Sequence, residues 1–286
     1  MAIWTIARLT WQELGRRRVV LAGLILTALV LGLTAWGFHS LPNVQCGNRP
    51  CPPEEIRTAA SALTILLMYM FSFVVALAGA FLAAPAIAND LESGIALAVL
   101  PRPIRRSDVL LGKWLALASA IALYTAVVSA IIFAIVKYFT GYQPPAPVTA
   151  IAFITGEGLA LLTLALLGRT RIGPLACGIT AVVLFGLAWI AGVIGGIGLS
   201  IGNQTVTNVG VVASLILPTD GLWRGAMFHL EPAVMIAAVS QSPRGVNANV
   251  PFFAYAPPPT AYVVYAVGWI LAMLALAAYN FDRREL

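Results

Sequence analysis

Apolar residues fall into six long blocks, and the short stretches between them hold most of the charge. The blocks run roughly 19–38, 59–87, 111–138, 148–168, 173–198 and 260–281. A helix needs about 20 apolar residues to cross a hydrocarbon core about 30 Å thick. The pattern therefore predicts six transmembrane helices and an all-α polytopic membrane protein, organised as one transmembrane domain over 1–286. The first block is long for a signal-peptide core, and no Ala-x-Ala site follows it closely, so it is expected to be a retained span.

Two stretches outside the blocks have patterns of their own. In residues 3–18, Trp4, Ala7, Trp11 and Leu14 recur at helical spacing, with Arg8 and Glu13 off that stripe. This predicts an amphipathic helix lying along the inner membrane surface, the alternative being a downward extension of the first span. The two indoles and Arg16, Arg17 and Arg18 favour the interfacial reading. Residues 199–259 form the largest outer loop. Its segments NVGVVASLILPTDGLWRGAMFHL and EPAVMIAAV are apolar, too short to cross and interrupted by Pro218 and Pro232, which predicts short re-entrant or interfacial helices. Phe252, Phe253, Tyr255 and Tyr262 form an aromatic belt before the last span.

Composition agrees with the pattern. The chain is 60% hydrophobic and 10% charged, with a mean hydropathy of +0.91. The net charge of +6 does not mark a nucleic-acid surface, because the basic residues collect at alternate ends of the spans. With a cytoplasmic N-terminus, 12 of them lie inside and 5 outside (Arg49, Arg57, Lys137, Arg224 and Arg244). Both termini are then expected to be cytoplasmic.

The inner stretch from Ala88 to Trp114 is more patterned than a connection requires. Asp90, Leu91 and Glu92 precede Gly94 and a short apolar run. Pro101, Arg102 and Pro103 break that run, and Arg105 and Arg106 lead to Gly112-Lys113. This order points to an element that docks on something in the cytoplasm. A positive-inside loop without a partner would explain the arginines but not the Asp90/Glu92/Gly94 group. Gly112-Lys113 is not a nucleotide-binding loop, since no glycine stands five residues before it and Trp114 follows.

Candidate chemistry inside the spans is sparse. Glu157 lies near the middle of the fourth span, where an acid costs roughly 2.5–3.5 kcal/mol to insert. It reads either as a proton or substrate site or as a protonated packing residue between Gly156 and Gly158, and no second intramembrane charge is evident as its partner. Asp220, in Pro-Thr-Asp-Gly, reads as a turn before it reads as a substrate rim. Small residues repeat at Ser72, Ala76, Ala80 and Ala84, and at Ala188, Gly192 and Gly196. Either seam allows close helix packing, within the chain or between protomers. Cys46 and Cys51 in the outer CGNRPC loop predict a small disulfide. A soft-metal site with His39 is the weaker reading, and Cys177 reads as packing. His39 and His229 both fall outside the spans, which argues against a bis-histidine haem.

Four segments, IARLTWQELGRRR, NDLESGIALAVLPRPIRRSDVLLGK, LILPTDGLWR and FDRREL, together resemble the membrane subunits of ATP-binding-cassette (ABC) transporters. The likeness is to the type-2 export class, which includes the permeases encoded with nitrous oxide reductase maturation systems. It covers nearly the whole chain. Asp90 stands where the family has Glu, Ile95 where it has Thr, and Arg105 where it has Ser. The resemblance implies a permease in a bacterial inner membrane, paired with a second copy or a paralogue. It also implies a separate cytoplasmic ATPase that holds ATP and Mg, with no cofactor in this chain. The run from Leu91 to Leu100 would be the coupling helix. Ser107 would cap the next helix, with Asp108 in its first turn. Two other functions fit parts of the sequence: a proton-coupled secondary transporter using Glu157, and a membrane anchor for an enzyme complex. The lack of an internal inverted repeat weighs against the first.

Overall fold

The computed structural model describes residues 2–46, 49–92, 106–232, 254 and 256–283. Among these residues are nine helices. They are α1 (Ala2–Arg16), α2 (Arg18–Ser40), α3 (Pro53–Glu92), α4 (Arg106–Thr140), α5 (Pro147–Arg169), α6 (Pro174–Ser200), α7 (Gln204–Ile216), α8 (Thr219–Leu230) and α9 (Thr260–Asp282). Six of them, α2 to α6 and α9, are long and apolar enough to cross a membrane, and they coincide with the six apolar blocks. Proline opens α3, α5 and α6, where its missing N–H costs no helical hydrogen bond. Gly141 and Gly202, both at φ 69°, turn the chain after α4 and α6 in the left-handed region that other residues avoid.

α5 is the centre of the bundle. It packs against α3, α4, α6, α8 and α9, and 56% of its apolar window is buried, against 6% for α2. The closest crossing joins α3 to α5. A methyl group on Gly79 would lie 2.4 Å from the Gly158 carbonyl oxygen, and one on Gly158 would lie 2.7 Å from Val75. Without a hydrophobic drive between helices in lipid, such close backbone approach is what packs them. Ser72, Ala76 and Ala80 are buried inside the chain, so this seam is intramolecular. On α6 the close contacts use Gly195 and Gly198 against α7, while nothing lies within 4 Å of a methyl on Gly196.

α1 differs from its predicted stripe. Ala7 and Leu14 are buried with Thr10, whereas Trp4 and Trp11 are 73% and 39% exposed. Gly112 lets α1 approach α4, since a methyl there would lie 2.9 Å from the Ile3 carbonyl oxygen and the Ile6 side chain. Trp11 donates its indole N–H to Ser119 Oγ at 2.8 Å. One face of α1 therefore docks on the bundle with Trp11 bonded at its edge, and Trp4 remains exposed.

The start of α4 also departs from expectation. Ser107 is not its cap: it lies within the helix, and its backbone N–H donates to Asp282 Oδ1 at 2.9 Å. The end of α9 thus caps α4 from outside, filling an orphan donor at the helix N-terminus.

Between α2 and α3, strands β1 (Gln45–Cys46) and β2 (Arg49–Pro50) pair antiparallel, and Cys46 and Cys51 are joined as a disulfide with Cα atoms 4.9 Å apart. The closed ring is short, so its loss costs about 2 kcal/mol at most on loop-closure entropy. Thiol alkylation should label Cys177 only after unfolding, and Cys46 and Cys51 only after reduction. Labelling of Cys46 in the unreduced protein would contradict the bridge.

Candidate functional site

Glu157 lies in the tightly packed middle of α5 between two glycines. It is fully buried, and Ser72 is the polar side chain that faces its carboxyl group. The Gly79–Gly158 crossing brings Ser72 and Tyr69 of α3 to it. The Ser72 hydroxyl also lies 2.9 Å from the Tyr69 carbonyl oxygen, to which it can donate. Tyr69 packs edge-on against Phe73 and Trp223, with ring centroids 5.0 and 5.2 Å away.

The second part of the cluster comes from the segment between α6 and α9. α7 and α8 meet at a 99° bend, and α8 turns into the bundle instead of lying on its surface. Trp223, Ala226, Met227 and Leu230 of α8 are all buried. Asp220, in its first turn, is 6% exposed and is more than a turn residue. Its carboxylate accepts from Arg224 Nε at 3.0 Å and from the Trp223 indole at 3.2 Å, while Arg224 Nη2 also donates to the Gly192 carbonyl at 3.0 Å. Gly192 leaves room for this pair, because a methyl there would overlap the Asp220 carboxyl group at 2.1 Å. Asp220 lies within electrostatic reach of Glu157. The expectation that Glu157 has no charged neighbour is therefore corrected. One charged group, Asp220, reaches its vicinity through a helix that sequence spacing assigns to the outer loop.

The C-terminal end of α8 is held as firmly. Tyr142 donates its hydroxyl to the Leu230 carbonyl at 2.6 Å, and Ala146 N–H donates to the His229 carbonyl at 3.1 Å. These contacts satisfy acceptors that a helix C-terminus leaves open. Burial pushes the Tyr142 hydroxyl up to about 12, so it stays a donor. Tyr142→Phe should cost about 1 kcal/mol, read by thermal unfolding in detergent.

Next to this joint, Glu231 is 4% exposed and accepts from the Ala254 N–H at 2.8 Å. Burial raises its carboxyl from 4.5 to about 7, against the opposing pull of that hydrogen bond. A carboxyl whose folded value is raised binds its proton more tightly folded than unfolded. Its stabilisation is complete below 4.5 and is lost as pH rises through about 7. Unfolding midpoints of the wild type should fall across this window, and Glu231→Gln should remove that part of the slope.

A family model described as ABC-2 family transporter protein matches residues 4–286. The chain belongs to this family. No curated protein matches it. It is accordingly the permease subunit of an ABC transporter and a multi-pass membrane protein.

In this ABC-2 permease the residues expected to couple to an ATPase are only partly described. Asp90, Leu91 and Glu92 form the last turn of α3, which continues from the second span without a break. They do not begin a separate helix. Gly94, Pro101, Arg102, Pro103 and Arg105 lie outside the described residues, and Arg106 opens α4. Cys46, Cys51 and Glu55 offer side-chain atoms within 4.8 Å of one another, but His39 is packed edge-on against Phe139 with ring centroids 5.2 Å apart. Cys177 is buried, with its sulfur 2.8 Å from the Ala165 carbonyl oxygen. Sequence reasoning did not single out Tyr69, and it named Ser72 and Arg224 only as a packing residue and a loop cation. The one available signal was the i, i+4 spacing of Asp220 and Arg224, which puts acid and base on one helical face.

Proposed function

We propose that this chain is the membrane half of an ATP-driven exporter. Two copies, or one copy and a paralogue, pair in the bacterial inner membrane with both termini cytoplasmic, and a separate ATPase binds beneath each. The observation that carries this reading is the length of α3 and α4. Their 40 and 35 residues make them about 60 and 50 Å long, against a hydrocarbon core of about 30 Å. Both helices outrun the bilayer, and 93–105 joins them on the side that the basic residues assign to the cytoplasm. A rigid helix leading from the ATPase contact into the bundle transmits closure as a rigid-body movement. Asp90, Leu91, Glu92 and Gly94 would seat on the ATPase, with Pro101, Arg102, Pro103, Arg105 and Arg106 fixing the turn. The Ser107–Asp282 contact then ties the last span to the same lever.

Within the family, the resemblance of its N-terminal, Pro-Thr-Asp and C-terminal segments supports a likeness to the permeases encoded with nitrous oxide reductase maturation systems. An aromatic-rich, largely uncharged interior suits an amphiphilic or lipid-like substrate. Purification in mild detergent tests the assignment. A polypeptide with a nucleotide-binding loop should co-purify, and the complex should hydrolyse ATP. Glu92→Ala or Arg105→Ala should uncouple transport from that hydrolysis. The reading fails if no ATPase co-purifies and both substitutions leave transport and assembly unchanged.

A further inference from the structure

Two arginines meet just past the ends of two spans, at the level where a headgroup layer begins. Arg171 follows the span that ends at Arg169, and Arg283 follows the one that ends at Asp282. Arg171 Nη2 donates to Asn280 Oδ1 at 3.4 Å, which brings the α5–α6 turn against the last turn of α9. Arg283, one turn beyond Asn280, holds its guanidinium 4.4 Å from the centre of the Tyr279 ring. Both backbones are fixed. Buried Arg169 donates from Nη1 to the Ile172 carbonyl at 3.1 Å, and the Arg171 and Ile172 N–H groups donate to the Gly168 carbonyl at 3.0 and 2.9 Å. At the end of α9, Asp282 is occupied in capping α4 through the Ser107 N–H. Both arginines are exposed, and among the described residues neither is paired with a carboxylate. Leu276, one turn before Asn280 on α9, and Ile172, next to Arg171, are exposed apolar side chains. Apolar surface therefore continues from the cations into the hydrocarbon. An orientation signal needs only basic residues on one side. It does not need two arginines from separate elements at one helix end, one bonded to an asparagine and the other held over a tyrosine.

We propose that Arg171 and Arg283, with Asn280 and Tyr279, form a binding site for the phosphodiester of an anionic phospholipid, with an acyl chain running along Ile172 and Leu276. A guanidinium presents parallel N–H donors that match two phosphate oxygens. Basic pockets between spans select anionic headgroups, because a zwitterionic lipid also brings an ammonium group that the arginines repel. The adjoining apolar side chains favour a lipid over an acidic protein face, which would use the cations alone. A bound lipid bridges the α5–α6 turn to the end of α9, and so ties the last span to the central helix. Under the topology proposed above, the site faces the inner leaflet. It depends on the spans and on no ATPase, so its failure leaves the exporter reading standing.

The test is native mass spectrometry of the full-length permease in mild detergent, titrated with phosphatidylglycerol, phosphatidylcholine or glycerol 3-phosphate. Phosphatidylglycerol should bind more tightly than phosphatidylcholine, and glycerol 3-phosphate, which has the phosphate without the acyl chains, should not bind. Arg171→Gln/Arg283→Gln should weaken the phosphatidylglycerol complex roughly 30-fold, the loss of two basic contacts at an anionic headgroup. Arg16→Gln/Arg18→Gln removes the same charge at the α1–α2 junction and should leave the affinity nearly unchanged. Gel filtration reports the fold of each variant. Asn280→Ala keeps both charges but releases Arg171, so it should weaken the complex several-fold. The proposal is overturned if phosphatidylcholine binds as tightly as phosphatidylglycerol, if glycerol 3-phosphate binds as well as the lipid, or if Arg16→Gln/Arg18→Gln costs as much as the paired change at 171 and 283. It is equally overturned if the folded Arg171→Gln/Arg283→Gln variant keeps full affinity or, where that variant does not fold, if Asn280→Ala does.

Discussion

Gly79→Ala should unseat α3 from α5 and cost about 1–3 kcal/mol, the range for overpacking a close contact. The added methyl would lie 2.4 Å from the Gly158 carbonyl oxygen and 3.2 Å from the Leu162 nitrogen. Both are backbone atoms of the central helix, so no side chain can rotate away to make room. Relief requires the two helices to move apart, and that movement also loosens Val75 against Gly158 and draws Ser72 and Tyr69 away from Glu157. Gly268→Ala and Gly23→Ala are the matched controls. A methyl at either position meets nothing within 4 Å, and alanine is the better helix former by about 1 kcal/mol. Unfolding in detergent should therefore show a clear loss at position 79 and none at 23 or 268. An equal loss at all three would mean that glycine acts here through backbone freedom, not through close packing.

The spans and the helical class were legible because their signal is local. Apolar blocks of the right length carry it residue by residue, and the charge between them fixes their ends. The small-residue seam at Ser72, Ala76 and Ala80 was legible as close packing, but its partner was not, because spacing on one helix does not say which neighbour it meets. The Glu157 environment was less legible still. It depends on α8 turning back into the bundle at a 99° bend, a tertiary event centred on Leu217 and Pro218. Pro218 reads in sequence as an interruption of an outer apolar segment. The inward course of α8 is set by Gly192, Gly221 and Gly225, which leave space for Asp220, the Tyr262 ring and the Phe153 ring respectively. The α1 stripe shows the same limit. Helical spacing found the apolar positions, but Gly112, far along the chain from α1, lets Ile3 and Ile6 approach α4, so that Ala7 and Leu14 are buried while Trp4 stays exposed.

Arg224→Ala should be the most damaging single change on α8. Removing one partner of a buried ion pair costs about 3–5 kcal/mol because the other charge is left behind. The Asp220 side chain is 8% exposed and that of Arg224 is 29% exposed, so solvent screening places the loss near the lower end, about 3 kcal/mol. The Gly192 carbonyl loses its donor in the same step, and the Trp223 indole is left as the only group bonded to Asp220. Replacing both partners removes the stranded charge. Asn in the double variant Asp220→Asn/Arg224→Met keeps the acceptor for Trp223, and Met refills the volume of the arginine stem, so the double change should cost less than Arg224→Ala alone. A double-mutant cycle on chemical unfolding measures the coupling directly. A double variant as unstable as the sum of its singles would mean that the pair contributes nothing as a pair, and α8 would then owe its place in the bundle to Trp223, Met227 and Leu230 alone.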